Sequence, residues 1–262
     1  MQVALLLLGI RFLAPAVWNQ QIQTGPTAIL ATFLAAHLFM AFVEWFFHRY
    51  VLHSVASSWL RHFAERHRNH HALTRIQLKT VDVGEGRIVL NRYPIVEEEQ
   101  FEDSAFPVYA LVAFWLIFTP VLIAVQQVLP NAPIYLAGYS AIAWSTVSYE
   151  VFHAIEHRPY EWWKHATEHP RFGGLWRKIY GFHHFHHANV NANEAISGFF
   201  GLPVADWVFR TYHQPPDLLL EGRVASAKEF AVRSPWGFVT RLDRWVRQRE
   251  ARSTRRKRST EA

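Results

Sequence analysis

No Asp, Glu, Lys or Arg occurs between residues 104 and 149, a run of 46 residues. That length accommodates two membrane spans of roughly 20 residues each. A second uncharged run covers residues 12–43. Half of the chain is hydrophobic, yet its mean hydropathy is -0.03, because very apolar blocks alternate with very polar ones. This distribution points to a polytopic membrane protein. A soluble helical protein with buried core helices is the competing reading, and the two uncharged runs weigh against it. The 11 Trp fit the membrane class, since Trp collects at membrane–water interfaces.

Four spans are expected, over residues 3–18, 27–47, 105–129 and 133–150. The first is poorly defined, being interrupted by Arg11 and Pro15. Without a basic leader it reads as a helix rather than a signal peptide. The last two are joined by a tight turn, Pro130-Asn131-Ala132-Pro133, so they run antiparallel. Of the 27 Lys and Arg, all but Arg11 fall in residues 48–103 or 150–262. The positive-inside rule then places both blocks and both termini in the cytoplasm, at a bacterial inner membrane or the endoplasmic reticulum. The net charge of +6 reflects this topology and not a nucleic-acid partner. Residues 48–103 read as helix through His71, then a turn-rich stretch (Gly84, Gly86, Pro94), then an acidic run at 97–103. Residues 1–240 form one membrane-embedded domain. Residues 241–262 form a basic cytoplasmic tail that rests on anionic headgroups or docks an acidic protein.

Sixteen His is the second anomaly, and every one except His37 lies in the two polar blocks. With no Cys, disulfides, thiolate ligands and Cys nucleophiles are excluded together. Imidazole suits iron, copper and zinc. His48 and His53 form HxxxxH, His67, His70 and His71 form HxxHH, His153 and His157 form HxxxH, and His183, His186 and His187 form HxxHH. Positions i, i+3 and i+4 share a helical face, with adjacent rings about 100° apart. In HxxHH the i and i+3 rings are expected to serve one ion while the neighbouring ring reaches a second. Ten His exceed the needs of one ion, so two metals are implied, with roughly five nitrogens each and room for water or oxygen. Neutral ligands leave the ionic charge uncompensated. Glu44, Glu150, Glu194 and Asp206 are candidates to offset it from behind the ligands, with His184 as a further supporting residue. His62, His165 and His169 read as peripheral. His37, inside the membrane and near the helical face of His48, is a substrate-channel candidate or a neutral His bonded between helices.

The segments Phe47-His48-Arg49-Tyr50-Val51-Leu52-His53, His67-Arg68-Asn69-His70-His71, Tyr149-Glu150-Val151-Phe152-His153-Ala154-Ile155-Glu156-His157 and His183-His184-Phe185-His186-His187 resemble the histidine boxes of the fatty acid hydroxylase / sterol desaturase superfamily. Asp206-Trp207-Val208-Phe209-Arg210-Thr211 is similar to that family's segment after its last box. The resemblance covers roughly residues 30–212 and lies in the order of the boxes between the spans. It implies an all-α integral membrane bundle of about four transmembrane helices, with a cytoplasmic helical His-rich cap holding a dimetal site. It also implies O2-dependent hydroxylation or desaturation of a membrane lipid at two iron ions, with zinc as a possible substitute. Electrons would come from a cytochrome b5-like or ferredoxin-like protein with its reductase, and no motif for a fused nucleotide or haem domain is present. No residue beyond the ligands declares a catalytic role.

Carotenoid and sterol oxygenases of the same superfamily carry similar boxes, so the boxes do not choose the substrate. From other classes, a His-rich membrane metal-binding or transport protein and a non-catalytic scaffold compete. A transporter would place ligands within the bilayer, where only His37 stands.

Overall fold

The computed structural model describes residues 2–54, 60–80 and 87–260. Gly84 and Gly86, read above as part of a turn, lie outside these residues. Pro15 splits the first apolar stretch. Helix α1 (Gln2–Leu13) ends before it and α2 (Pro15–Gln23) begins on it, where the missing N–H costs no helical hydrogen bond. The two pieces rise about 18 and about 14 Å, each well short of the roughly 30 Å of a bilayer core. The single helix expected at 3–18 is therefore two short ones.

Helix α3 (Pro26–Phe47) follows Gly25, whose φ of 85° suits a residue without a side chain. It runs into a π-helical turn, His48–Leu52. Helix α4 (Arg61–Leu73) carries the second His cluster. Next comes a departure from the all-α expectation. Strands β1 (Ile76–Thr80) and β2 (Arg87–Asn91) form an antiparallel hairpin, with Leu78 opposite Val89. The sequence Ile-Gln-Leu-Lys-Thr alternates apolar with polar at period two, which a strand can bury on one face and a helix cannot. The acidic run becomes helix α5 (Glu98–Ser104), closed by a capping box between Glu97 and Gln100.

Helices α6 (Ala110–Val128) and α7 (Ile134–Glu156) make up the rest of the apolar bundle. Among the described residues two helices, Pro26–Leu52 and Ala110–Val128, are long and apolar enough to cross a membrane, where four spans were expected. Only 17% of each apolar window is covered by the rest of the chain, whereas a soluble core helix would be mostly covered. Leu30 and Phe39 on α3, and Leu116 and Val128 on α6, point outward uncovered. Helix α7 sits between α3 and α6. Its buried Ala137, Ala141 and Ser145 recur every fourth residue, and such small side chains let neighbouring backbones approach closely.

Helices α8 (Tyr160–Thr167), α9 (Gly173–His186) and α10 (Val204–Phe209) and a 3-10 turn, Ala227–Phe230, complete the polar half before the terminal helix α11 (Gly237–Thr260). A core of Tyr93, Tyr180, Phe185 and Leu219 joins the hairpin to one side of α9. The proposed boundary at 240 falls inside α11, and the segment after it is not wholly a solvated tail. Val246 is buried. Arg49 donates to Asp243 through Nε (3.0 Å) and Nη2 (2.8 Å), and the Tyr50 hydroxyl donates to the same carboxylate at 2.9 Å. Hydrogen bonds to charged groups contribute about 1.5–3 kcal/mol. Asp243→Ala is therefore expected to weaken α11 docking by about 2 kcal/mol and to speed limited proteolysis within α11 some 30-fold; unchanged cleavage would remove the latch.

Candidate metal centre

Helices α4, α7 and α9 and the π-turn bring ten imidazoles together in two groups. His48, His53, His67, His71 and His186 form one; His70, His153, His157, His183 and His187 form the other. Within each group one ring nitrogen per residue lies within 4.8 Å of all the others. Those are the ten His singled out from their spacing, and the partition between groups follows from helix geometry. The i and i+4 members of each HxxHH stay together: His67 with His71, and His183 with His187. The i+3 member crosses, His70 to the group of α7 and α9, and His186 to the group of α4 and the π-turn. The expectation that i and i+3 share an ion is therefore corrected.

His48 and His53 are five residues apart, which on an α-helix sets side chains about 140° apart. The π-turn closes on a bond from the His53 N–H to the His48 carbonyl (3.2 Å). By lengthening the turn it brings both rings to one side, the kind of local distortion common at functional sites.

Where an acceptor stands behind Nδ1, the ring nitrogen that faces inward is a lone pair. His157 Nδ1 donates to the Tyr93 carbonyl (2.7 Å). His70 Nδ1 is 2.9 Å from Ser104 Oγ. That hydroxyl gives its own proton to the Gln100 carbonyl, so it accepts from His70. Both neutral rings therefore carry their proton on Nδ1, yet their Nε2 atoms stand 3.1 Å apart. Two bare lone pairs at that distance repel unless a cation lies between them. A proton is a poor candidate, because burial and the neighbouring rings push His70 well below its ordinary value and burial takes His157 down to about 3. A metal ion fits. Metal–nitrogen bonds of about 2.1 Å put neighbouring ligands about 3.0 Å apart around an octahedral ion and about 3.4 Å apart around a tetrahedral one. The closest separations between Nε2 atoms are 2.9–3.2 Å, for example 2.9 for His48–His67 and His53–His186, 3.2 for His53–His67, and 3.1 for His157–His183 and His183–His187. Five imidazole nitrogens in each group exceed the four ligands of a tetrahedral structural site.

Other Nδ1 atoms are fixed from behind in the same manner. His48 donates to the Glu194 carbonyl (2.5 Å) and His186 to the Ala192 carbonyl (2.7 Å). Thr74 Oγ1 donates to the His70 carbonyl and accepts from His187 Nδ1 at 2.9 Å. Such partners fix tautomer and ring direction, and their loss typically costs 10–100-fold in metal affinity. Thr74→Val keeps the shape and removes the acceptor. It is expected to weaken metal binding by about 10–100-fold at the group holding His187 and to spare the other, as read by chelator competition. Equal weakening of both groups would contradict this assignment. Thr74, Ser104 and the three carbonyls had no signal in the sequence, because hydroxyls are common and every residue has a carbonyl.

Among the acidic candidates, only Glu194 lies against a candidate ligand. Its Oε2 is 3.8 Å from His48 Nδ1, and its Oε1 accepts from Arg49 Nη1 at 2.6 Å. Burial pushes the Glu194 carboxyl up to about 8, and Arg49 opposes that shift. Asp206 acts one step further out, accepting from the Glu194 and Ala195 N–H groups at 2.9 Å each and holding the loop that carries the Glu194 carbonyl. Glu44 accepts from Ser197 and Gly198, and Glu150 from the Phe106 N–H, so both secure the backbone. His184 faces the hairpin, where its Nε2 is 3.0 Å from Asn91 Nδ2. His37 bridges α3 and α7 through Ser145 (2.9 Å) and accepts from the Phe200 N–H at 3.3 Å. His62, His165 and His169 are exposed, and His169 instead accepts the Arg171 and Phe172 N–H groups at the start of α9.

No protein-family model matches the chain, and the search of curated proteins and of solved structures found no match either.

Proposed function

We propose that the chain is a membrane oxygenase that uses two His-bound metal ions, taken as iron, to hydroxylate or desaturate an acyl or alkyl chain of a membrane lipid. The observation that carries this reading is the double position of His48. Its Nε2 belongs to a five-imidazole group, and the residue also lines an apolar cavity between the most apolar helices. The resemblance of the four His segments to the hydroxylase and desaturase boxes supports the same chemistry. So does the exposure of apolar side chains on α3 and α6, which water would not tolerate in so continuous a belt. In this reading α1 with α2, then α3, α6 and α7, make four membrane passages. The His groups and both termini then lie on the cytoplasmic side.

When bound, such an ion pair supplies reductive activation of O2 for attack on an unactivated C–H bond. The chain's own residues do the rest. Tyr93, Ser104, Thr74, Ala192 and Glu194 hold protons on Nδ1 atoms so that the Nε2 atoms stay free to bind metal. The aromatic walls around His48 exclude water and align a chain. Hydroxylation consumes O2, two electrons and two protons and yields an alcohol and one water; desaturation consumes the same and yields an alkene and two waters. The electrons must come from a separate donor, which the family resemblance makes cytochrome b5-like or ferredoxin-like. A metal transporter would place ligands along the bilayer, and His37 is already engaged by Ser145.

Purified protein is expected to hold two metals per chain. Lipids of cells expressing it are expected to gain one oxygen, or lose two hydrogens, in an O2-dependent manner. A single metal per chain, or an unchanged lipid profile with both metals bound, would overturn this reading.

A further inference from the structure

Helices α3 and α6 both pack along α7, and two apolar cavities occupy the space between them. The first, of about 160 Å³, is walled by Met40, Phe47, Phe114 and Phe118 and ends at His48, with Glu44 and Tyr149 beside it. The second, of about 570 Å³, continues away from the imidazoles past Ala36, Leu122, Val125 and Gly138 to Leu129 and Ala132 at the far turn. Met40 and Phe118 line both, so the two cavities adjoin at these side chains, and we take them as the two parts of one slot. The stretch of α3 from Ala31 to His48 rises about 25 Å, longer than the roughly 15 Å of hydrocarbon in one leaflet.

The slot has a polar end and an apolar end. Among the described residues that line the second cavity, the only polar side chain is Thr32. At the His48 end, a small cleft lined by Arg66, His67 and Asp103 shares Phe106 and Tyr149 with the first cavity. A polar headgroup pushed to the far end would lose its water without finding partners, at a cost of about 2–7 kcal/mol. At the near end Arg66 and Asp103 are at hand.

We propose that this slot is the tail-binding site for one unbranched apolar chain, entered methyl end first, with Gly138 setting its depth. Only the chemistry at His48 rests on the oxygenase reading; occupancy of the slot does not require it. The orientation brings carbons near the polar end of the lipid to the metal groups, so oxidation falls head-proximal and not at the methyl terminus. A Cβ on Gly138 would meet Leu122 Cδ2 at 2.5 Å, and a larger side chain there drives Leu122 into the slot. Ala36 faces the same cavity from α3 and offers an independent way to fill it.

The test uses the full-length protein in nanodiscs and fatty acids with a diazirine at the methyl end, compared between stearoyl and dodecanoyl chains. The stearoyl probe is expected to label peptides around Ala36, Leu122 and Val125. Gly138→Leu and Ala36→Phe are each expected to lose that label while keeping the dodecanoyl label and the metal content. Labelling confined to the outward faces of α3 and α6, or label unchanged in both variants, overturns the proposal, as does displacement by a sterol in preference to stearate. Slot labelling without any oxygen-dependent product sustains the slot and refutes the oxygenase; product without slot labelling does the reverse.

Discussion

Replacing His186 with alanine is expected to halve the metal content, from two ions per chain to one, and to cut activity by more than about 100-fold, the upper end for losing even an outer partner of a ligand. The ion lost should be the one held by the π-turn and α4, although the sequence neighbours His183 and His187 belong to the other group. His70→Ala is expected to do the reciprocal thing, emptying the group of α7 and α9 while sparing His67 and His71. Helices α4 and α9 each give two rings to one group and lend their i+3 ring to the other. Each group therefore serves as the control for a substitution made in the other. His184→Ala is the internal negative control, since its Nε2 faces Asn91 and its ring adjoins Tyr180 and Tyr93. Element analysis on the purified variants reads the result directly. Loss of both ions in each variant would show that the groups do not bind independently, and full retention in both would deny that these rings are ligands.

The membership of the ten-His set was legible because helical spacing is a short-range rule. The partition was not, because it depends on how α4 and α9 face each other across the site, a relation set by tertiary packing. HxxxxH gave no α-helical face to read, and the π-turn that rescues it has no sequence signature. The apolar runs showed α3 and α6 clearly. They overstated the first segment, where Pro15 outweighs the surrounding leucines, and they did not show that α7 would become the buried centre of the bundle. Its small residues looked like ordinary span composition. The hairpin was missed for a different reason. Each strand is only five residues long, only β1 alternates apolar with polar, and the Gly residues between read as turns. Of the acidic candidates only Glu194 stands against a candidate ligand, because a carboxylate near a His box in sequence has many uses. Glu44, Glu150 and Asp206 spend theirs on backbone N–H groups, which no pattern of residues announces. Arg49 was hidden inside the first box, and its bonds to Glu194 and Asp243 tie the region behind His48 to the last helix of the chain.

Acidification of the metal-free protein is expected to unfold its polar half steeply between about pH 6.5 and 5. Burial pushes His53, His67, His70, His71, His183, His186 and His187 well below their ordinary value, and takes His157 to about 3. In the unfolded chain the same groups titrate near 6.5. The sign follows from which state holds more protons. Above pH 6.5 both states are neutral and the full stability is present. As pH falls below 6.5 the unfolded chain takes up protons that the folded one refuses, so stability is lost toward the folded values. Each excess proton costs about 1.4 kcal/mol per pH unit. Three net protons would then remove about 4 kcal/mol per unit, a large share of a typical total of 5–15 kcal/mol. Bound ions occupy the same lone pairs and should move the transition to lower pH, by an amount that grows with free metal concentration. Thermal unfolding across this range, with and without chelator, reads both effects. A transition independent of pH between 6.5 and 5 in the chelated protein would mean that the inward nitrogens are not the buried, proton-refusing lone pairs described above.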